Sequence, residues 1–482
     1  MVPGPELHEG STEGAHQRPS RSRYLQWVPT DEHQVRTVEQ RLLSGLSYTQ
    51  RSLSGINTIS TPCWDCSERD GGKKHTVVLI HGFADGVGSW AKNWEYLSRN
   101  YNVHAIDLPG FGRSLRERRL FGSPHEAMRY YHDALHNWFG EVGIPPNQPI
   151  TVVGHSFGGY VSTRYTMEML WRKRKLEDAL EAPVTEHNLL ASPLLNPRTQ
   201  EEPSSFFKKY FVKARSTTVS SESPPPMTSW MPTTNKRLTP PPNIVQLVLA
   251  DPWGVPPAVR EQQPMNIRRK VIFHMFYRFA PLATLRYAGP WGPSLLERMR
   301  PDYANRWNHL PDPYIYYDYK YHTNAQLPPT GELAFQACCE GMAFAKEPLL
   351  EYFPRMLRRI STGIDSIHHD DVTCSKPPST SLLHQREATS NDMTTTPAAA
   401  LPSAVPQGQR RTALRHLTLL YGEETWMDTA MYQQLMDEVR RDGTVGSVHM
   451  DAITKAGHQL NADNADEFNV KLSEAIRRGS LD

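Results

Sequence analysis

The chain has 482 residues, and its 53 basic side chains are almost balanced by 51 acidic ones. This balance gives no reason to expect a nucleic acid as a partner, because such binding needs a positive surface. Five cysteines in a chain of this length fit a reducing compartment better than a disulfide-stapled fold. Length alone suggests three domains, but one core with a large cap and long insertions explains it as well, and we prefer that interpretation.

The N-terminal region carries no structural signal. Residues 1–24 mix acidic and basic side chains with few apolar ones, so we predict that they are disordered. No segment is apolar over the length of a membrane-spanning helix, and the first residues lack the apolar stretch of a signal peptide. We therefore expect a soluble or peripheral protein. Cys63 and Cys66 have the spacing of a metal-binding pair, but no second pair completes it, so we expect no metal there.

Two predicted strands lead into glycine-bearing loops. The apolar run 77–80 continues directly into His81 and Gly82. In enzymes that attack carbonyl groups, such a loop supplies a backbone N–H that stabilises the negative oxygen of the transition state, and Phe83 N–H is our candidate. The second strand, 103–107, leaves through a glycine-rich turn. There we expect Asp107 to accept hydrogen bonds from loop amides and to have no chemical role.

The most informative stretch is Gly154-His155-Ser156-Phe157-Gly158, which follows the apolar run 150–153. It fits the Gly-x-Ser-x-Gly nucleophile elbow, in which a strand turns abruptly into a helix with the serine at the apex. Only small residues fit two positions on either side of such a serine. We predict that Ser156 is the nucleophile of a serine hydrolase and that Phe157 N–H completes the oxyanion hole with Phe83 N–H.

Two segments look inserted, and a third looks like a cap. Residues 171–242 and 361–412 are rich in proline, serine and threonine, a composition that cannot bury enough apolar surface to order itself. The segment between them, 255–360, is dense in apolar and aromatic side chains. We predict that it forms a helical cap that lines a tunnel for an acyl chain. The core then consists of residues 25–254 and 413–482.

A serine hydroxyl needs a base to take its proton and an acid to orient that base. In enzymes with this elbow the chain order is serine, acid, histidine, so the acid should follow a late strand. The predicted strand 417–422 is followed by Asp428, which we favour because the loop is long enough to swing back over the sheet. Glu423 and Glu424 are the competing candidates.

The base is more clearly indicated. The run 448–453 alternates like a strand, His458 lies in the short loop after it, and a last amphipathic helix follows. The chain has 20 histidines, but only His458 combines the required order with a strand-loop-helix setting. We predict that His458 takes the proton from Ser156.

These residues resemble one branch of the alpha/beta-hydrolases, which contains the lipid-droplet coactivator of triglyceride lipase and the N-acyl phospholipid lipase. The resemblance covers most of the chain apart from the insertions. The first three of its matching stretches are common to many hydrolases, and the last three are particular to this branch: His81–Phe83, Asp107–Ser114, Gly154–Gly159, Asp251–Gly254, Arg300–Tyr303 and Gly457–Asp463.

The resemblance implies activity on glycerophospholipids or their lyso forms, with relatives linked to lipid homeostasis, cardiolipin remodelling and phosphatidic acid formation. The animal coactivator has asparagine at the elbow, whereas this chain keeps Ser156. Relatives also carry a His-x-x-x-x-Asp motif that is credited with acyl transfer to lysophosphatidic acid, and His458 with Asp463 matches it. From the residues themselves, we expect Asp463 to cap the final helix.

Together these features predict an α/β fold, with a mostly parallel central sheet flanked by helices and a helical cap. We expect a Ser156–His458–Asp428 esterase that needs neither a metal nor an organic cofactor. Its substrate would be a phospholipid or lysophospholipid, reached at a membrane or lipid-droplet surface from the cytoplasm, with a mitochondrial location left open. The alternatives are a lysophosphatidic acid acyltransferase and a non-catalytic lipase coactivator.

Overall fold

The computed structural model describes residues 30–62, 74–181, 240–258, 278–308, 310, 312–341, 344–363 and 414–480. The predictions for residues 1–24, for Cys63 and Cys66, and for most of both insertions lie outside these ranges.

The described strands form a central sheet in the order β1-β2-β4-β3-β5-β6-β9-β10 and a separate pair, β7 and β8. The pairs β1–β2 and β2–β4 are antiparallel, and the other neighbours in the central sheet are parallel. The predicted, mostly parallel sheet is therefore confirmed. The strands are β1 (Thr49–Leu53), β2 (Ile56–Ser60), β3 (Thr76–Ile80), β4 (Asn102–Ile106), β5 (Ile150–His155), β6 (Ile244–Ala250), β7 (Cys339–Glu340), β8 (Phe344–Ala345), β9 (Leu414–Gly422) and β10 (Val445–Ile453).

The middle strands of the sheet are continuous apolar runs because helices cover both of their faces. Every residue of β3, β5 and β6 is buried, as expected for parallel strands inside a doubly covered sheet. The five strands that the apolar patterns predicted are all present. Strand β6 and the β1–β2 hairpin were not predicted, and β6 proves decisive for the site.

Helices cover the sheet in two layers. Alternate strand residues face opposite layers: Leu79 and Val153 pack with α2 and α13, whereas Val78 and Val152 pack with α3, α4, α10 and α11. The described helices are α1 (Glu32–Leu42), α2 (Ala91–Asn100), α3 (Pro124–Glu141), α4 (Phe157–Glu181), α5 (Ala283–Tyr287), α6 (Gly292–Met299), α7 (Asp302–Arg306), α8 (Ile315–Ala325), α9 (Thr330–Cys338), α10 (Leu349–Thr362), α11 (Thr429–Asp442), α12 (Leu460–Asp463) and α13 (Ala465–Ser480).

Helix α4 corrects the start of the first insertion. The insertion was expected from Trp171, but α4 continues to Glu181. Trp171 is buried in the core, and the Arg359 guanidinium lies 4.2 Å from its ring centroid. The basic run after Trp171 forms the outer surface of the helix, where Arg172 pairs with Glu168 one turn earlier. The start of the predicted insertion therefore belongs to the core.

Helices α5 to α10 are described in the segment that was predicted to form the cap. Helices α5 to α9 lie between β6 and β9, and α8 packs on α1 around the buried rings of Trp307, Tyr316 and Tyr319. Helix α10 was expected in the cap but packs on α4 and α11 in the core. Its buried Phe353 and Leu357 are one helical turn apart, so it presents an apolar stripe to the core.

The buried imidazole of His104 should make the protein sensitive to acid. Burial lowers the pKa of His104 to about 3, while an unfolded histidine titrates near 6.5. The contribution of neutral His104 to the free energy of unfolding is therefore fully present above about pH 6.5. It is lost as the pH falls towards 3, because only the unfolded state takes up the proton. We expect His104→Gln to reduce the loss of unfolding free energy by about 1 kcal/mol per pH unit in this window.

The measurement for this prediction is denaturant unfolding at several pH values. His33→Gln, which replaces an exposed histidine, should leave the slope of the unchanged protein. A His104→Gln slope identical to that of the unchanged protein would contradict the prediction.

Candidate active site

Ser156 lies at the sharp turn between β5 and α4. Its backbone φ is +52°, a left-handed conformation that costs energy for a residue other than glycine and is characteristic of strained functional turns. The two flanking glycines are required by close packing. A Cβ on Gly154 would lie 2.6 Å from the Gly158 carbonyl oxygen, and a Cβ on Gly158 would lie 2.4 Å from the His81 carbonyl oxygen. The local geometry is that of the predicted elbow.

A hydrogen-bonded chain of three side chains leads away from this serine. Ser156 Oγ lies 2.8 Å from His458 Nε2, and His458 Nδ1 lies 2.6 Å from Asp251 Oδ2. Because a carboxylate only accepts, Nδ1 carries the proton and Nε2 can accept from the serine hydroxyl. The Asp251 side chain is completely buried, whereas His458 is 20% exposed. Ser156 and His458, predicted from opposite ends of the chain, therefore meet.

Asp251 directly follows β6 and is held on both of its oxygens. Thr425 Oγ1 donates to Oδ2 at 2.6 Å and Tyr432 OH donates to Oδ1 at 3.2 Å. Both oxygens of the buried carboxylate therefore have hydrogen-bond partners in addition to His458. The next strand along the sheet from β5 is β6, which brings Asp251 beside the elbow. The sequence signal was available, since an apolar run, 244–250, ends at an aspartate.

The prediction of Asp428 as the acid is wrong for this structure. Asp428 is the N-cap of α11, where its carboxylate accepts from the N–H groups of Ala430 at 3.1 Å and Met431 at 3.2 Å. Asp428 is not the partner of His458, because α11 begins immediately after it and uses its carboxylate as a cap, whereas His458 Nδ1 bonds to Asp251. Its competitor Glu423 is exposed and accepts from Lys455 N–H.

The same loop supplies two other contacts to the site. Thr425 orients Asp251, as described above, and the ring of Trp426 lies with its centroid 5.3 Å from that of His458. The order of serine, acid and histidine points only to the acidic residues of this loop. A threonine and a tryptophan carried no signal of their own there.

The two predicted oxyanion donors flank the serine. Phe157 is the first residue of α4, so its N–H has no partner within the helix. Gly82, just before Phe83, packs so closely that a Cβ on it would lie 3.0 Å from Ser156 Cβ. The oxyanion role of the Phe83 and Phe157 amides stays a prediction that this placement favours.

His81 holds the peptide that carries the Phe83 N–H. Its Nε2 accepts from Leu108 N–H at 2.8 Å, which leaves the proton on Nδ1, and Nδ1 donates to the Gly82 carbonyl at 2.7 Å. Burial lowers the pKa of His81, although Asp107 and Asp85 oppose this. The neutral ring therefore fixes the plane of the Gly82–Phe83 peptide.

His155 holds the loop that carries His458. Its Nε2 lies 2.8 Å from the backbone carbonyl oxygen of His458. Burial lowers the pKa of His155 to about 3, so the ring is neutral at assay pH, and its Nε2–H donates to that carbonyl. The side chain of His155 thus ties the elbow to the backbone of His458.

Asp463 takes a different position from the one expected. It was predicted to cap the last helix, but Asn464 does so, accepting from Glu467 N–H at 3.3 Å. Asp463 Oδ2 accepts from Gly457 N–H at 3.0 Å, and Oδ1 accepts from Arg306 Nε. The aspartate of the His-x-x-x-x-Asp spacing therefore braces the loop of His458 and connects it to the cap.

A cavity of about 710 Å³ opens over Ser156 and His458 between core and cap. This volume is in the range of small-molecule sites, about 300–1,000 Å³. Three cationic side chains, Arg300, Arg306 and Lys320, also line it. Most of the remaining wall is apolar: Phe83, Trp253, Leu282, Leu285, Leu296, Met299, Phe335, Trp426 and Met427.

The chain belongs to the alpha/beta hydrolase family, whose sequence pattern matches residues 77–470. It is 30% identical over 331 residues to the "(Lyso)-N-acylphosphatidylethanolamine lipase" of Bos taurus, covering 67% of this chain and 73% of that protein.

Two further relatives are more distant in identity. The "Abhydrolase domain-containing protein abhd-5.2" of Caenorhabditis elegans is 26% identical over 460 residues, 94% of this chain and 71% of that protein. The "1-acylglycerol-3-phosphate O-acyltransferase ABHD5" of Homo sapiens is 26% identical over 286 residues, 59% of this chain and 60% of that protein. Two of these three relatives are named for reactions on lipids. Within its described residues no helix is apolar over a length that would cross a membrane.

Proposed function

We propose that this protein is a serine esterase that cleaves fatty-acyl esters of phospholipids or lysophospholipids through an acyl-enzyme. The observation that carries the proposal is the chain of hydrogen bonds from Ser156 through His458 to Asp251 at the floor of a largely apolar cavity. A serine in this arrangement can lose its proton at the moment of attack.

In the proposed reaction, Ser156 Oγ attacks the ester carbonyl while His458 Nε2 takes the hydroxyl proton. Asp251 keeps the imidazole in the correct tautomer and stabilises its charged form. The carbonyl oxygen becomes negative and accepts hydrogen bonds from the amides of Phe83 and Phe157. The C–O bond then breaks, and His458 returns its proton to the departing glycerol oxygen. Water repeats these steps on the acyl-enzyme and releases the fatty acid.

The substrate class rests on the apolar cavity and on the relatives. An acyl chain needs an apolar wall, and the bovine relative is named a lipase of N-acylphosphatidylethanolamine and its lyso form. We extend that class to this chain, with a role in lipid homeostasis and acyl remodelling. Access from a membrane or lipid-droplet surface belongs to the same proposal.

Acyl transfer to lysophosphatidic acid is the alternative reaction. Either water or a lipid hydroxyl could attack the acyl-enzyme, so the two reactions share Ser156 and His458. The human relative is named as such an acyltransferase. Asp463 does not itself favour transfer, since its hydrogen bonds go to Gly457 and Arg306. A non-catalytic coactivator, the second alternative, does not need a serine at the elbow.

The products distinguish these functions. We expect purified protein, given acyl-labelled lysophosphatidic acid with and without acyl-CoA, to release labelled fatty acid in both cases. Formation of phosphatidic acid only when acyl-CoA is present would instead identify the protein as an acyltransferase. Neither product, with several lysophospholipid headgroups tried, would leave the coactivator function. Thin-layer chromatography of the extracted lipids separates the two products.

A further inference from the structure

The active-site cavity has two chemically different walls. One, the aromatic wall, consists of Phe83, Trp253 and Phe335. The rings of Phe83 and Phe335 stack with centroids 4.1 Å apart, and those of Trp253 and Phe335 meet at a tilt with centroids 4.9 Å apart. The other, the cationic wall, consists of Arg300 and Arg306. A cavity with these two walls fits a ligand with an apolar end and an anionic end.

Contacts connect Ser156 to both walls of the cavity. Gly82, which precedes Phe83 of the aromatic wall, packs closely against Ser156. Ser156 also bonds to His458, and the next residue, Gln459, accepts from Arg306 Nη1 at 2.8 Å. An ester held at Ser156 therefore lies in a cavity that offers it both apolar rings and guanidinium groups.

From this arrangement we propose that Arg300 and Arg306 bind the phosphate of a glycerophospholipid while its acyl chain lies along the aromatic wall. The inference rests on the proposed function, which it deepens by assigning the headgroup site. In such lipids only the glycerol backbone separates the ester from the phosphate. The guanidinium group is the side chain best suited to a phosphate, because it offers several fixed donors at once.

The two arginines are paired in the structure in a way that leaves them able to bind a phosphate. Arg300 donates to Asp302 at 2.8 and 3.0 Å, and Arg306 Nη1 donates to the same carboxylate at 2.8 Å. The side chains of Arg300 and Asp302 are 39% and 41% exposed. Solvent weakens such exposed pairs, so a phosphate can take the place of Asp302 on both guanidinium groups.

Arg306 is the better anchored of the two. Its side chain is 12% exposed, and Nε is held by Asp463. Its Nη1 is used by Asp302 and Gln459, whereas no described residue accepts a hydrogen bond from Nη2. Two of the five N–H donors of this fixed guanidinium group, both on Nη2, are therefore left for a ligand. The other lining cation, Lys320, is paired at 3.1 Å with buried Asp85 and has no such role.

The test compares two lipids with the same acyl chain, lysophosphatidic acid and monoacylglycerol, at concentrations below those at which they form micelles. Equilibrium binding is measured by titration calorimetry on the full chain carrying Ser156→Ala, which cannot turn the lipids over in the proposed mechanism. We expect Arg300→Gln and Arg306→Gln each to weaken lysophosphatidic acid binding about tenfold or more, as for a lost charge-assisted hydrogen bond, and to change monoacylglycerol binding less than twofold.

The matched control is Arg298→Gln. Arg298 is an exposed arginine on the same helix as Met299 but does not line the cavity, so its loss should change neither affinity. Arg306→Lys keeps the charge and should recover part of the affinity lost in Arg306→Gln. Equal losses for both lipids, or no loss for lysophosphatidic acid, would overturn the headgroup site.

Hydrolysis by protein with Ser156 intact tells the two proposals apart. Binding that discriminates between the lipids through Arg300, without release of fatty acid from any of them, would support the headgroup site and remove the esterase. Release of fatty acid, with no effect of either arginine on the choice of lipid, would support the esterase and remove the headgroup site.

Discussion

Ser156→Ala is expected to reduce fatty-acid release by about 10⁶-fold, to the level of the uncatalysed background in an ordinary assay. The alanine keeps the Cβ and therefore the strained backbone of the elbow, but no oxygen remains to form the acyl-enzyme. The serine hydroxyl forms its hydrogen bond with His458 at 2.8 Å, and His458 stays oriented by Asp251. We therefore expect little change in the free energy of unfolding.

Release of labelled fatty acid from a lysophospholipid measures this effect, with thermal unfolding as the check on the fold. Ser473→Ala is the matched control, because Ser473 is also buried but lies in α13, away from the cavity. That variant should keep the activity of the unchanged protein. Undiminished release from purified Ser156→Ala would remove the proposed mechanism.

Asp251→Asn should lower kcat by about 10⁴-fold and leave KM nearly unchanged. The amide nitrogen of asparagine can donate but not accept, so where it faces His458 Nδ1 it favours the tautomer with the proton on Nε2. That nitrogen can then no longer accept from Ser156. Asp251 does not line the cavity, so substrate affinity should be preserved. The steady-state split between kcat and KM measures the effect.

Asp428→Asn provides the comparison, since asparagine caps a helix as well as aspartate does. We expect it to change kcat less than twofold. Asp428→Ala should cost about 1 kcal/mol of unfolding free energy through the lost cap of α11 and still hydrolyse lipid. A large loss of kcat in Asp428→Asn, with near-normal activity in Asp251→Asn, would show that Asp428 and not Asp251 is the acid.

The positions of Ser156 and His458 could be predicted because their signals are local. An elbow needs small residues at Gly154 and Gly158 to avoid backbone clashes, and this requirement is visible in five consecutive residues. His458 follows a strand and precedes a helix, which is also a local pattern. Buried parallel strands are similarly local, since covering both faces produces uninterrupted apolar runs such as β3 and β5.

The carboxylate beside His458 could not be chosen in the same way, because this contact depends on which aspartate the fold brings to His458. Asp251 and Asp428 both follow apolar strands, and each satisfies the order of serine, acid and histidine. What separates them is that β6 lies beside β5 and ends in a buried aspartate, whereas the residue after Met427 begins a helix and caps it. Pairing of strands and the start of a helix are properties of the folded chain.

The domain boundaries and the role of Asp463 likewise depend partly on the sequence and partly on the tertiary structure. Composition predicted the insertions and the cap, but composition cannot tell where α4 ends, nor that α10 packs on the core. The spacing from His458 to Asp463 is visible in the sequence. The structural role of this aspartate depends on Arg306, which lies far away along the chain and contacts the Asp463 carboxylate only in the folded protein. The steric demands of the elbow act between neighbouring residues and are therefore visible in the sequence. Packing between segments that are distant along the chain decides which aspartate contacts His458, what Asp463 binds and which arginines line the cavity.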